Sequence, residues 1–260
     1  MEQTSKLPLG IQSFEALRAD GCLYVDKTVL IYRLVSTTLP YFLSRPRRFG
    51  KSLLLSTLKA YFEGKKDLFD GLCIADLEKE WVQYPVLYLD LNAEKYDSVE
   101  YLEDILSRNL DKWEDIYGKD ERRKTLAGRF EGVIERAYEK TGKRVAVLID
   151  EYDKPMLSAI LDEQLSIKIR ASLKAFYGVL KSSGQYLRFL FLTGVTKFAQ
   201  VSVFSDFNHL VDISQADDFA SLCGITQNEM LKYFVPELNR LFPKARNEFR
   251  RCCRKDGATM

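Results

Sequence analysis

Leu39-Pro40-Tyr41-Phe42-Leu43-Ser44 runs directly into Arg45-Pro46-Arg47-Arg48-Phe49-Gly50-Lys51-Ser52, and from Lys51 to Glu63 the residues Leu54, Leu55, Leu58, Tyr61 and Phe62 recur at helical spacing. The stretch reads as strand, loop, helix. Its final positions match the phosphate-loop pattern G-x-x-x-x-G-K-[ST], while Arg45 stands where that pattern begins with glycine. Because the helix starts at the lysine, the backbone N–H groups of Phe49 to Leu53 are expected to point at a phosphate with the helix dipole behind them. Arg48, Phe49, Gly50, Lys51, Ser52 and Leu53 then form the cradle. In it, Lys51 bridges the β- and γ-phosphates and the Ser52 hydroxyl ligates Mg²⁺. Arg45 must take an ordinary backbone conformation and Pro46 brings no N–H, so the later amides are expected to build the cradle. Alone, G-K-S is a weak signal, and the bland reading is a solvated basic turn before a chance helix start.

What strengthens it is a second strand. Val145-Ala146-Val147-Leu148-Ile149 is a continuous apolar run of the kind buried on both faces of a sheet, and it ends in Asp150-Glu151. Side chains alternate along a strand, so the two acids must serve different ends, Asp150 holding the metal and Glu151 the attacking water. Asp153 reads as a structural or capping acid. A later run, Phe189 to Leu192, ends in Thr193-Gly194-Val195-Thr196-Lys197, where Thr193 is the candidate polar sensor of the γ-phosphate, with weaker claims for Thr196 and Lys197. Asn92, behind the run Val86 to Leu91, is a candidate restraint on Glu151.

These apolar runs alternate with helical stretches (Val99 to Trp113, Ile167 to Leu180, and one opening at the capping box Thr226-Gln227-Asn228-Glu229), the pattern of an α/β three-layer sandwich with a mainly parallel central sheet. With 260 residues, one α/β domain plus a small appendage is expected: a domain over 1–222, including a lead-in over 1–35, and a truncated helical subdomain over 223–260 with a basic tail from Arg246 to Lys255. A hydrophobic share of 46% with 29% charged residues excludes a disordered or fibrous chain. A net charge of +2 gives no general attraction to nucleic acid or anionic membranes. No run approaches the roughly 18 apolar residues of a membrane span, and no leader pattern opens the chain, so a cytoplasmic location is expected. Cys22, Cys73, Cys223, Cys252 and Cys253 with the single His209 indicate neither a disulfide framework nor a zinc site.

With these residues in hand, the sequence resembles the bacterial AAA-ATPase-like family, relatives of the AAA+ and STAND ATPases. The resemblance lies in Leu7 to Phe14, Tyr24 to Thr28, Phe42 to Leu53, Ile149 to Asp153 and Leu192 to Phe198, and runs from about Leu7 to Phe234. It implies a P-loop ATP site with Lys51 and Thr193 joining Glu151 in catalysis, arginine at position 45 as usual for the family, and Asp26 and Thr28 near the adenine. Family members often continue into a helical lid and a restriction-endonuclease-like domain; neither a complete lid nor nuclease activity is carried over to this chain. The expected function is Mg²⁺-dependent ATP hydrolysis, with ATP as ligand and room for a protein partner or homo-oligomer; the sequence does not say whether a second copy supplies an arginine in trans, and nothing selects the possible donors Arg170 and Arg188. Two other readings stand beside it: a nucleotide-dependent interaction switch with negligible hydrolysis, and a nucleic-acid-binding module using Arg45, Arg47, Arg48 and the tail.

Overall fold

Five parallel strands, β1 (Pro40–Ser44), β2 (Val86–Asp90), β3 (Val145–Asp150), β4 (Leu187–Gly194) and β5 (Val211–Asp212), form one sheet in the order β2-β3-β4-β1-β5. The computed structural model describes residues 6–92, 96–197 and 210–241; His209, Phe198 and the basic tail fall outside them. The period of two along each strand sorts its side chains between two cores. Ala146 and Leu148 of β3 join Tyr41, Leu43, Phe189 and Phe191 on one face. That face is closed by α1 (Phe14–Ala19), α2 (Thr28–Val35), α3 (Lys51–Phe62) and α4 (Cys73–Leu77). Val145, Val147 and Ile149 join Phe42, Leu87, Leu89, Leu190 and Leu192 on the other. There α5 (Val99–Tyr117), α6 (Leu126–Thr141), α7 (Lys154–Ser158) and α8 (Glu163–Ser182) complete the layer. Every residue of β3 is buried, which is why its sequence is apolar without alternation.

The mixed α/β architecture with a parallel sheet agrees with the sequence reading, with one correction to the layout. The paired phosphate-loop and acidic motifs read as the ends of adjoining strands; β4 instead lies between β1 and β3, pairing Ser44 with Gly194 on one side and Ile149 with Leu192 on the other. Helical crossovers let spatial order depart from chain order, and no local pattern records that. Short α1 and α2, the helix α6 and the two-residue β5 also go beyond what periodicity indicates. Gly128 and Gly132 interrupt the pattern of α6. That helix is started instead by Thr125, whose hydroxyl accepts from the Gly128 amide at 3.1 Å.

One polar cluster fastens α6 to α5. Arg129 grips Glu114 with a two-pronged bond, Nε to Oε1 at 3.0 Å and Nη2 to Oε2 at 2.8 Å. It also donates to Ser107 Oγ at 2.8 Å and to Asp111 Oδ1 at 2.6 Å. Among the described residues no helix is long and apolar enough to cross a membrane.

Candidate functional site

Parallel strands bring their carboxyl ends, and the loops that follow, to one edge of the sheet. Arg45 leaves β1 with its amide donating to the Gly194 carbonyl at 3.1 Å, and its guanidinium donates to the carbonyls of Ser44 and Ser214. It therefore ties β1 to the segment after β5 in an ordinary backbone conformation. The turn is made later, at two left-handed residues, Arg48 with φ 67° and Gly50 with φ 86°. Gly50 is the N-cap of α3, and an added Cβ there meets no atom within 4 Å, so conformation alone favours glycine.

Lys51 opens α3 and is buried. Its Nζ is 3.1 Å from Glu151 Oε1 and donates back to the carbonyls of Arg45 at 3.1 Å and Pro46 at 3.3 Å. Glu151 reaches it from a left-handed backbone, φ 53°, a conformation that costs a non-glycine residue about 1–3 kcal/mol and collects at functional sites. Asp150 is fully buried. Its Oδ1 accepts from the Thr193 hydroxyl at 2.6 Å, while no hydrogen bond of ordinary geometry reaches Oδ2 among the described residues. Tyr88 faces the same carboxylate; burial first, then the charges of Asp150 and Asp90, raises its hydroxyl far above the ordinary phenol value. Lys51 thus meets Glu151 and Thr193 meets Asp150, with β4 and its Thr193 between β1 and β3; Asp150 and Thr193 are fully buried.

Two cavities meet over the loop. A polar one of about 640 Å³ is lined by Lys51, Ser52, Glu151, Asn92, Arg47 and Gln12, among others. An apolar one of about 310 Å³ is walled by Tyr24, Val25, Leu54, Leu222, Cys223 and Phe234, among others. Ile11, Arg48, Gly50 and Leu53 border both. Burial pushes the Cys223 thiol up to about 11, against the pull of Arg45, Lys51 and Lys27, so it stays a neutral wall. The segment leading to α9 (Gln227–Tyr233) and α10 (Val235–Leu241) closes this apolar side. The Gly224 amide donates to the Phe49 carbonyl at 2.9 Å, and Lys27 pairs with Glu229 at 2.7 Å. Glu229 also completes the capping box with Thr226 that the sequence announces. Gly10 to Gln12 and Cys223 escape a reading of the sequence as lining residues, because apolar or uncharged walls carry no chemical signature, whereas Tyr24 and Lys27 lie in the stretch that the family resemblance links to the adenine.

Asp26 and Thr28 line neither cavity. Asp26 Oδ1 accepts from the Thr28 amide at 2.9 Å and hydroxyl at 2.6 Å, Oδ2 accepts from the Cys73 amide at 2.8 Å, and Thr28 Oγ1 accepts from the Ile74 amide at 3.0 Å. The pair joins the starts of α2 and α4, and Lys27 between them is the residue that faces the apolar cavity. Burial would raise the Asp26 carboxyl, but the bonds from Thr28 and Cys73 outweigh it and hold it below the ordinary value of 3.8. A depressed carboxyl stabilises the fold when ionised, so this contribution is complete above the unfolded value and lost as pH falls through the lower folded one. In urea unfolding, Asp26→Asn is expected to be less stable than the parent by a gap that is constant near neutrality and narrows below about pH 4. A gap that stays the same down to about pH 3 would refute this.

The remaining candidates have other employment. Asp153, fully buried, accepts from the amides of Val195 and Thr196 and from the Thr196 hydroxyl, which fixes the end of β4 and makes Thr196 a structural residue here. Gly194 is demanded by this packing: an added Cβ would collide with the Tyr152 ring and stand 2.7 Å from Asp153 Oδ1. Lys197 pairs with Asp212 at 2.7 Å. The Asn92 backbone amide donates to Asp90, and Asn92 lines the polar cavity together with Glu151, whose ion pair is with Lys51. Arg188 donates to the carbonyls of Val35 and Thr37, which removes it from the trans donors, and nothing in the structure selects Arg170. Arg45, held between β1 and Ser214, is likewise unavailable to a nucleic acid. Cys22, Cys73 and Cys223 are free thiols, and no metal-binding cluster of His, Cys, Asp and Glu occurs among the described residues.

The parallel α/β sheet with this loop and acidic strand end agrees with the family to which the chain belongs, the AAA-ATPase-like family described as predicted AAA-ATPase, whose model matches residues 8–204. A protein of Azotobacter chroococcum mcd 1, described as an uncharacterized protein in the vnfD 5' region, is 40% identical over 234 residues, or 90% of this chain. The chain spans 45% of that relative's length. No solved structure matches the chain.

Proposed function

We propose that this chain binds Mg²⁺-ATP through a P-loop formed by residues 45–52 and hydrolyses the β–γ phosphoanhydride bond. The observation that carries this reading is the junction of the two cavities: an apolar chamber sized for a heterocycle and sugar opens, across Arg48 and Gly50, into a cationic chamber bounded by Lys51, Ser52 and Glu151. Family membership favours adenine, and the guanine-reading N-K-x-D pattern is absent from the sequence. The Ser52 hydroxyl and the unpartnered Oδ2 of Asp150 suit Mg²⁺, which would neutralise charge on the β- and γ-phosphate oxygens.

For the chain's own residues the chemistry runs in order. Phosphate draws Lys51 Nζ away from Glu151, and the freed carboxylate takes a proton from water as the water oxygen bonds to the γ-phosphorus. The bond from that phosphorus to the β–γ bridging oxygen breaks, and the oxygen leaves with ADP. Thr193, whose hydroxyl donates to Asp150, holds that carboxylate in place for the metal. A switch that binds without turnover is favoured by one feature, the clasp of Gly224 on Phe49, through which the loop is coupled to α9. Multiple turnover by purified protein separates the two readings.

The test is calorimetric titration with Mg²⁺-ATP. Lys51→Ala should weaken binding by about 10–150-fold, the loss of a charge-assisted contact of about 1.5–3 kcal/mol. No affinity in the parent, or equal affinity in the variant, would remove the proposal.

A further inference from the structure

We propose that Arg47 is the arginine that stabilises phosphoryl transfer, supplied in cis from inside the loop, so that a single copy of the chain is catalytically complete. This rests on the ATPase reading above. Transfer of a phosphoryl group builds negative charge on the β–γ bridging oxygen as its bond to the γ-phosphorus breaks and it keeps the electron pair. Meanwhile water bonds to that phosphorus and gives its proton to Glu151. P-loop ATPases answer that charge with a planar guanidinium from a partner or from their own chain.

The cations around the loop divide into two sets. Arg45 is bound to two carbonyls, Lys27 to Glu229, Lys197 to Asp212, and Arg188 to two carbonyls of another segment. Lys51 carries the ground-state pair with Glu151. Arg47 and Arg48 are exposed, line the polar cavity, and are engaged by no hydrogen bond or ion pair among the described residues. They differ in position. Arg48 borders both cavities, the place of the ribose and α-phosphate, whereas Arg47 borders only the cavity that contains Ser52, Asn92 and Glu151. Arg47 is therefore the catalytic cation and Arg48 a positioning residue for the nucleotide's near end.

The experiment uses the purified chain and two ligands, Mg²⁺-ATP and Mg²⁺-ADP with tetrafluoroaluminate as transition-state mimic. Arg47→Ala should lower kcat on the order of 10³-fold with KM little changed, and lose far more affinity for the mimic than for ATP. Arg47→Lys should recover only part. Specific activity of the parent should be independent of protein concentration. Equal losses for ATP and the mimic would make Arg47 a binding residue only. Unchanged kcat in Arg47→Ala, with Lys51→Ala inactive, would overturn the inference and leave the ATPase reading intact, as would specific activity that climbs with concentration. Failure of the parent to bind ATP would overturn both.

Discussion

Glu151→Gln should reduce ATP turnover by about 10²–10⁴-fold, the usual worth of a positioned general base, while Mg²⁺-ATP affinity holds or improves. Both halves follow from one distance. Glu151 Oε1 lies 3.1 Å from Lys51 Nζ, with both side chains mostly buried, so phosphate must dissolve an ion pair before it gains the lysine. Glutamine keeps the shape and the left-handed backbone but holds Lys51 only as a dipole, so ATP takes the lysine more easily. Single-turnover kinetics and calorimetry on the variant read the two effects separately. Turnover at the parental rate would deny Glu151 its role as base, and clearly weaker binding would deny the competition for Lys51.

The second large effect is on stability. Arg129→Met is expected to lower unfolding free energy by about 3–5 kcal/mol, because it strands the Glu114 carboxylate in a site where that side chain is only 4% exposed. For a chain of this size that corresponds to a melting temperature lower on the order of 10 °C. Asp111, 60% exposed, contributes little of this. Adding Glu114→Leu should restore most of the loss, since removing both members of a buried pair leaves no unpaired charge. Calorimetry or urea unfolding of the single and double variants decides it: a single variant within about 1 kcal/mol of the parent would mean that water already reaches Glu114.

The sequence is most readable where one residue type has one use. Gly50-Lys51-Ser52 and Asp150-Glu151, each a weak signal alone, become legible as a pair because both follow apolar strand runs. β3 is clear because burial on both faces leaves an apolar run without alternation. The insertion of β4 between β1 and β3 is hidden, since β1 and β4 lie far apart along the chain and local pattern is blind to their pairing. Asp26 and Thr28 mislead for a related reason. Their place near the adenine rests on the family resemblance alone, and only their bonds to the amides of Cys73 and Ile74, far along the chain, show that they fasten two helix starts. The apolar cavity is least visible, its walls being ordinary core residues from three separate segments.

In the resting protein Lys51 already has its counter-charge, from one carboxylate and two carbonyls of its own loop. On the proposed reading, orthophosphate, anchored at a single point, would have to displace that arrangement unaided, whereas a nucleotide would bring an aromatic ring whose burial underwrites the exchange. A loop that occupies itself in this way would discriminate against the abundant small anions of a cell.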